Sequence, residues 1–149
     1  MLRLRMRETD QYEKLVKFFV ENGLEFDGDE EVDTDILHCY EVTHGDEGHL
    51  VGAAVLAKRE GRFIIDGIAV ENVYRKLQIG EILLNKVCEV IKEEYDGKEV
   101  YLVARAPGFF KKHGFIAIDP DHAPNFFECK TCSQYQDSCH PEVMKKVIE

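Results

Sequence analysis

Between positions 36 and 70 the chain carries three apolar runs separated by little more than turn residues, and this block narrows the fold more than any other stretch. Residues 36–43, 49–58 and 63–70 are divided by His44-Gly45-Asp46-Glu47-Gly48 and by Glu60-Gly61, and they read as three antiparallel strands linked by hairpins. Ahead of them, Leu2, Leu4 and Met6 alternate with Arg3, Arg5 and Arg7, the period of a half-buried strand. Thr9 or Asp10 then caps a predicted helix in which Tyr12, Leu15, Val16 and Phe19 follow helical spacing, and Asn22-Gly23 stops it.

After the hairpin block, Ile79, Leu83, Val87, Val90 and Ile91 recur at helical spacing until Asp96-Gly97. A helix therefore follows the fourth strand directly. Residues 100–103 form a short buried strand, Phe109, Phe110 and His113-Gly114 outline a shorter helix, and 115–118 offer a last strand before Pro120. The resulting order is β-α-βββ-α-β-α-β, an α/β fold without internal repeats. A chain of 149 residues suits one domain whose core needs no disulfide. Its boundaries are expected at a core of 1–118 and a cysteine-rich extension of 119–149.

A formal net charge of -10 repels phosphate backbones and anionic lipid, which argues against nucleic acid or a membrane as partner. No apolar stretch near Met1 is long enough for a signal peptide or a span, so a soluble, cytoplasmic protein is expected. Cys39 and Cys88 sit singly inside apolar periodic segments, where a reduced cysteine serves as a small hydrophobe.

The stretch Ile68-Ala69-Val70-Glu71-Asn72-Val73-Tyr74-Arg75-Lys76-Leu77-Gln78-Ile79-Gly80 runs from a strand through a short loop into a helix. A helix N-terminus offers unpaired N–H groups and the positive end of a dipole, so it holds phosphate through main-chain donors. Gly80 permits close approach, and Arg75 and Lys76 add positive charge. Taken by itself, the same pattern also suits an ordinary strand-to-helix turn.

This stretch resembles the acetyl-CoA signature of the GNAT superfamily of N-acetyltransferases, an Arg/Gln-x-x-Gly-x-Gly/Ala loop after an apolar strand. Arg75 and Gly80 match it, while Gln78 stands where the family usually has its first glycine. Downstream, Ala106-Pro107-Gly108-Phe109-Phe110-Lys111-Lys112-His113-Gly114-Phe115 is similar to the family's Ala-x-x-x-Tyr-x-x-x-Gly-Phe segment. The resemblance covers roughly 2–118. It implies a mixed, mostly antiparallel sheet splayed around an acetyl-CoA cleft and flanked by helices. It further implies pantetheine on the main chain of Ile68, Ala69 and Val70, pyrophosphate on the amides of Arg75, Lys76, Leu77, Gln78, Ile79 and Gly80, and acetyl transfer to an amine of a small molecule or peptide.

Many relatives carry a tyrosine as general acid where this chain has Phe110, which has no proton to give, so Phe110 is expected to pack against CoA. For the base, Asp66 shares strand parity with Ile68, and a carboxylate flanked by Ile64, Ile65 and Ile68 is expected to be poorly solvated and ready to take up a proton. Glu71, His38 and Glu41 are further candidates, and Asp66 as a carboxylate with no catalytic task is an equal alternative. These departures also leave room for an acyl-CoA sensor that does not turn over.

Two features lie outside the core pattern. Cys129-x-x-Cys132 followed by Cys139 supplies three thiolates for zinc, with His122 or His140 as a fourth ligand, or for an iron–sulfur cluster with an outside ligand. Free thiols, a disulfide formed during purification or a redox-responsive module are the alternatives. Glu25, Asp27, Asp29, Glu30, Glu31, Asp33 and Asp35 place seven carboxylates where the family borders its acceptor. They read either as a solvated acidic loop or as a field that concentrates a cationic amine.

Overall fold

The computed structural model describes residues 4–22, 35–46, 48–59, 61–71, 74, 78–104, 107–118 and 142–148. Its strands are β1 (Leu4–Thr9), β2 (Asp35–His44), β3 (His49–Arg59), β4 (Arg62–Val70), β5 (Glu99–Ala104), β6 (Ile116–Ala117) and β7 (Glu142–Val147). The helices are α1 (Tyr12–Glu21), α2 (Ile79–Tyr95) and α3 (Pro107–Lys112). The strands lie in the order β1-β2-β3-β4-β5-β7-β6. All neighbours are antiparallel except β4 and β5, which run parallel.

The expected α/β architecture and its β1-to-α3 element order are present, with one addition. No local period in 142–147 predicts an element, yet β7 inserts between β5 and β6, with Met144 opposite both Leu102 and Ala117. Met144 is fully buried but is followed at once by Lys145 and Lys146, so the strand lacks the apolar alternation that announces one. Of the acidic run, Asp35 opens β2 opposite Lys58, and the other six carboxylates lie outside the described residues.

Successive strand residues point to opposite faces, and each face has its own helix. Tyr40, Val42, Ala54, Leu56, Ile65 and Val70 pack with the apolar side of α2. Cys39, Ala53 and Val55 pack with Leu15, Phe18 and Phe19 of α1. Leu15, Phe19, Leu83, Leu84, Val87 and Ile91 are all fully buried, each contributing about 1.5–3 kcal/mol. Cys39 is therefore a core residue, as its apolar setting suggested.

The start of α1 differs from its expected signal: its N-cap is Gln11, which makes no side-chain cap bond, and neither Thr9 nor Asp10 holds that position. Thr9 Oγ1 accepts from the Gln11 N–H at 3.2 Å just before α1, and at the far end the Asn22 side chain donates to the Phe18 carbonyl at 2.9 Å. After α2 it is Asp96, not the glycine, that adopts the left-handed conformation, at φ 51°. Gly97 serves close packing instead, because a Cβ there would fall 2.5 Å from Ile91 Cγ2 and 2.7 Å from Phe63. No helix of the described residues is long and apolar enough to cross a membrane.

Candidate active site

The parallel strands β4 and β5 are matched at a single residue pair, Ile64 with Tyr101. Beyond that pair no ladder bridge joins them, so Ile68, Ala69 and Val70, at the end of β4, border the unpaired part of the ladder, the wedge between the two strands. An opening between these same two strands is what the family resemblance implies. A parallel pair that stays in register buries its backbone groups in a ladder, whereas a split one leaves room for an extended ligand to take up the strand's place.

At the wide end the chain turns into α2. Its first backbone bond runs from the Ile82 N–H to the Gln78 carbonyl, so the Ile79, Gly80 and Glu81 amides belong to the turn that has no intrahelical partner. Gln78 caps this end with φ 61° and ψ 22°, a left-handed conformation that costs a non-glycine residue about 1–2 kcal/mol. The glycine expected from the family pattern at Gln78 thus corresponds to a real conformational demand, which glutamine meets under strain. Ile79 is buried. Gly80 lies against the wedge wall: a Cβ there would stand 3.1 Å from Phe109 Cζ and 3.7 Å from Val70 Cγ2. Arg75, Lys76 and Leu77 lie outside the described residues.

Phe110 is 7% exposed and belongs to the core shared with α2. It meets Phe109 edge-on at 5.1 Å and Phe115 at 5.6 Å. The neighbouring Phe109, pressed against Gly80, faces the helix start more directly than Phe110 does.

Asp66 departs from its expected orientation. The register between β3 and β4 jumps from Val55–Gly67 to Leu56–Ile65, which makes Asp66 the extra residue of a β-bulge. The bulge turns Asp66 to the α1 face, away from Ile68, which packs with the α2 cluster. There Asp66 Oδ2 accepts a hydrogen bond from the Tyr12 hydroxyl at 2.9 Å, and Oδ1 lies 3.9 Å from Arg59 Nη2. The side chains of Asp66 and Arg59 are 9% and 4% exposed. Asp66 is thus a held acceptor, not a bare carboxylate among isoleucines. Tyr12 and Arg59 were missed in the sequence because Tyr12 lies 54 positions from Asp66 and reads as an ordinary apolar helix residue.

Gly67, next in the bulge, explains how α1 comes so close. A Cβ on Gly67 would fall 2.6 Å from Phe19 Cε2. The ring of Phe19 takes that space, and Tyr12, two helical turns earlier, is carried onto Asp66 by the same contact.

The other candidate bases are dispersed. Glu41 is 1% exposed on the α1 face, with Arg7 Nε at 3.5 Å and Lys14 Nζ at 3.6 Å, and among the described residues its Oε2 accepts no hydrogen bond. His38 lies at the opposite end of α2, 3.0 Å from the Tyr95 hydroxyl and 3.0 Å from Glu8. A 17-residue helix puts that end about 25 Å from its first turn. Glu71 follows β4 directly and pairs with His49 Nε2 at 2.9 Å. Burial pushes the Cys39 thiol up to about 11, with the Asp66 and Glu8 charges adding to the effect. Cys129, Cys132 and Cys139 lie outside the described residues, and among the described residues no group of three or more His, Cys, Asp or Glu is placed to hold a metal.

A family model described as the acetyltransferase (GNAT) family matches residues 7–115, and the chain belongs to that family of acyltransferases. No curated protein matches the sequence. Among solved structures, a GNAT-family acetyltransferase from Staphylococcus aureus Mu50 is 19% identical with a TM-score of 0.73, covering 99% of this chain and 100% of that one. The ribosomal-protein-S18-alanine N-acetyltransferase from Escherichia coli is 12% identical with a TM-score of 0.66, covering 99% and 95%. N-acetylglutamate synthase from Neisseria gonorrhoeae, complexed with coenzyme A and N-acetylglutamate, is 15% identical with a TM-score of 0.68; the match covers 100% of this chain but 35% of that one. At these identities the likeness concerns the fold.

Proposed function

We propose that the chain is an N-acetyltransferase that binds acetyl-CoA in the wedge between β4 and β5 and transfers its acetyl group directly to a primary amine. The observation that carries this reading is the combination of a strand pair matched only at Ile64 and Tyr101 with a helix start at the wide end of the opening. Ile68, Ala69 and Val70 hold the pantetheine arm through their main chain. The first-turn amides of α2, with Arg75, Lys76, Leu77 and Gln78 leading into them, hold the pyrophosphate. Gly80 keeps that approach clear, and Phe109 and Phe110 form the apolar wall.

Acetyl-CoA supplies an activated acyl thioester, so the protein needs to place the amine and manage one proton. Asp66 is the proposed acceptor of that proton. The bulge presents it on the face opposite α2, and the Tyr12 hydroxyl fixes the carboxylate's orientation. Arg59 balances its charge in a setting where an unpaired carboxylate would be costly. Phe110 offers no proton to the departing sulfur, so either water or another group protonates the thiolate, or CoA leaves as a thiolate stabilised by local dipoles.

The acceptor is proposed to be cationic, on the strength of the carboxylates at 25–35. An acceptor screen over amino acids, polyamines, aminoglycosides and peptide N-termini, read by released CoA, tests the reading. Amine-dependent release with a Michaelis constant that rises with ionic strength supports it; a preferred anionic acceptor refutes the cationic class. CoA binding without release for any amine favours the sensor. For the C-terminal thiols, binding of zinc or an iron–sulfur cluster by Cys129, Cys132 and Cys139 is proposed on their spacing alone. Metal analysis of protein purified without oxygen decides it.

A further inference from the structure

The histidines that end β2 and begin β3 have no part in the function proposed above, yet both reach the segment that leads into α2. His44 and His49 are register partners at the end of the hairpin, and the turn between them has Gly45 and Gly48 at positive φ. His44 Nδ1 is 2.8 Å from the Tyr74 hydroxyl, and His49 Nε2 is 2.9 Å from Glu71 Oε2. Both imidazoles also pack against the Tyr74 ring, with centroids 5.5 Å and 6.4 Å away. The backbone joins in: the Glu71 N–H donates to the Val51 carbonyl at 2.8 Å, and the Tyr74 N–H to the Glu71 carbonyl at 2.8 Å.

The same hairpin also braces the far end of this segment. A Cβ on Gly52 of β3 would stand 2.8 Å from Ile79 Cγ2, so the first residue of α2 rests directly on β3. Between these two supports the chain must enter α2 through Gln78 in a left-handed conformation, without a glycine to make that entry easy. A strained entry persists only where its surroundings over-determine it. The contacts from His44, His49 and Gly52 are such surroundings.

We propose that the tip of the β2–β3 hairpin is a positioning device for the phosphates of CoA: His44 and His49, by holding Tyr74 and Glu71 ahead of α2, set the position of its first-turn amides. This rests on the reading that those amides take the pyrophosphate. Neither histidine is a catalytic residue, because each acts through another side chain. Their loss should weaken CoA binding and leave the turnover of bound substrate nearly as it was.

The test combines calorimetric titration of CoA with steady-state kinetics for the unmodified protein and for His44→Ala, His49→Ala, His44→Asn, His49→Gln and Tyr74→Phe. The expected result is an about five- to tenfold rise in the CoA dissociation constant and in KM for acetyl-CoA in His44→Ala, the effect of losing one part-buried hydrogen bond, and an about two- to fivefold rise in His49→Ala, whose pair with Glu71 is exposed, with kcat within about twofold in both. The asparagine and glutamine variants, whose amides can retake the contact with Tyr74 or Glu71, should recover most of the affinity. His44→Ala and Tyr74→Phe should be non-additive when combined, since they remove the same contact. Equal CoA affinity in the unmodified protein and both alanine variants overturns this inference and leaves the proposed function standing. A joint fall of kcat, affinity and Tm that the amide variants do not rescue also overturns it, as the role would then be purely structural. Failure of the unmodified protein to bind CoA overturns both.

Discussion

Gly67→Ala should damage this protein more than a single methyl group normally does. The added Cβ would meet three atoms of the Phe19 ring, Cε2 at 2.6 Å, Cδ2 at 2.9 Å and Cζ at 3.0 Å. Phe19 is fully buried and packs beside Phe18 at 6.3 Å, so the ring cannot swing into solvent and α1 must lift. Overpacking costs about 1–3 kcal/mol, and three simultaneous contacts with an immobile ring put this site near the upper end, about 3 kcal/mol. For a chain of this size that corresponds to a fall in Tm of about 6–12 °C. Lifting α1 also draws Tyr12 off Asp66, so acetyl transfer should slow together with the loss of stability. Thermal melts followed by circular dichroism give the first quantity. The double variant with Phe19→Leu, which removes much of the clashing ring, should be more stable than the sum of the two single changes by at least about 1 kcal/mol. A Gly67→Ala protein that melts within about 2 °C of its parent, with additive behaviour in the double variant, would refute the packing argument and with it the account of how Tyr12 is placed.

Four further outcomes follow from the same geometry. Gly80→Ala should be tolerated with a small shift of Phe109, whereas Gly80→Asp sets a carboxylate about 6 Å from a bound phosphate, worth about 3 kcal/mol at an effective dielectric near 20; CoA titration should show a loss of about a hundredfold for the aspartate alone. Gln78→Gly relieves the left-handed strain and should raise stability by about 1 kcal/mol, read from denaturant melts. Asp66→Asn should lower the acetyl-transfer rate while sparing CoA affinity, and rates equal to the parent's at every pH would remove Asp66 as the base. Finally, the raised Cys39 thiol favours the neutral form in the fold, so its contribution to stability is complete below about 9 and is lost as pH rises towards about 11; Cys39→Ala should flatten that part of the stability profile.

The elements were legible in the sequence where a local period or a turn residue carried them. The alternation at Leu4 and Met6, the helical spacing from Ile79 to Ile91 and the stop at Asp96-Gly97 all correspond to observed elements. What stayed hidden depends on partners distant in the chain. The bulge that turns Asp66 to the α1 face arises from the register of β3 against β4, and a single-residue slip of that kind leaves no mark on the composition of either strand. β7 owes its place to one buried methionine and to ladder bonds with two neighbours, not to its own hydrophobicity. The Tyr12–Asp66 contact exists only because Gly67 admits Phe19, and neither residue signals the other in sequence. Gln78 shows the opposite case. Its departure from the family pattern was visible at once, and the positive φ found there gives that departure a physical meaning.

The placement of acetyl-CoA in the wedge is tested most directly by amide hydrogen exchange with and without the cosubstrate. Bound acetyl-CoA should slow exchange at 65–70 in β4, at 102–104 in β5 and at 79–81 in the first turn of α2, and should leave the β1–β2 pair unchanged. Saturating acetyl-CoA that leaves those three segments unprotected, or protects a different face of the sheet, would contradict the assignment of the site.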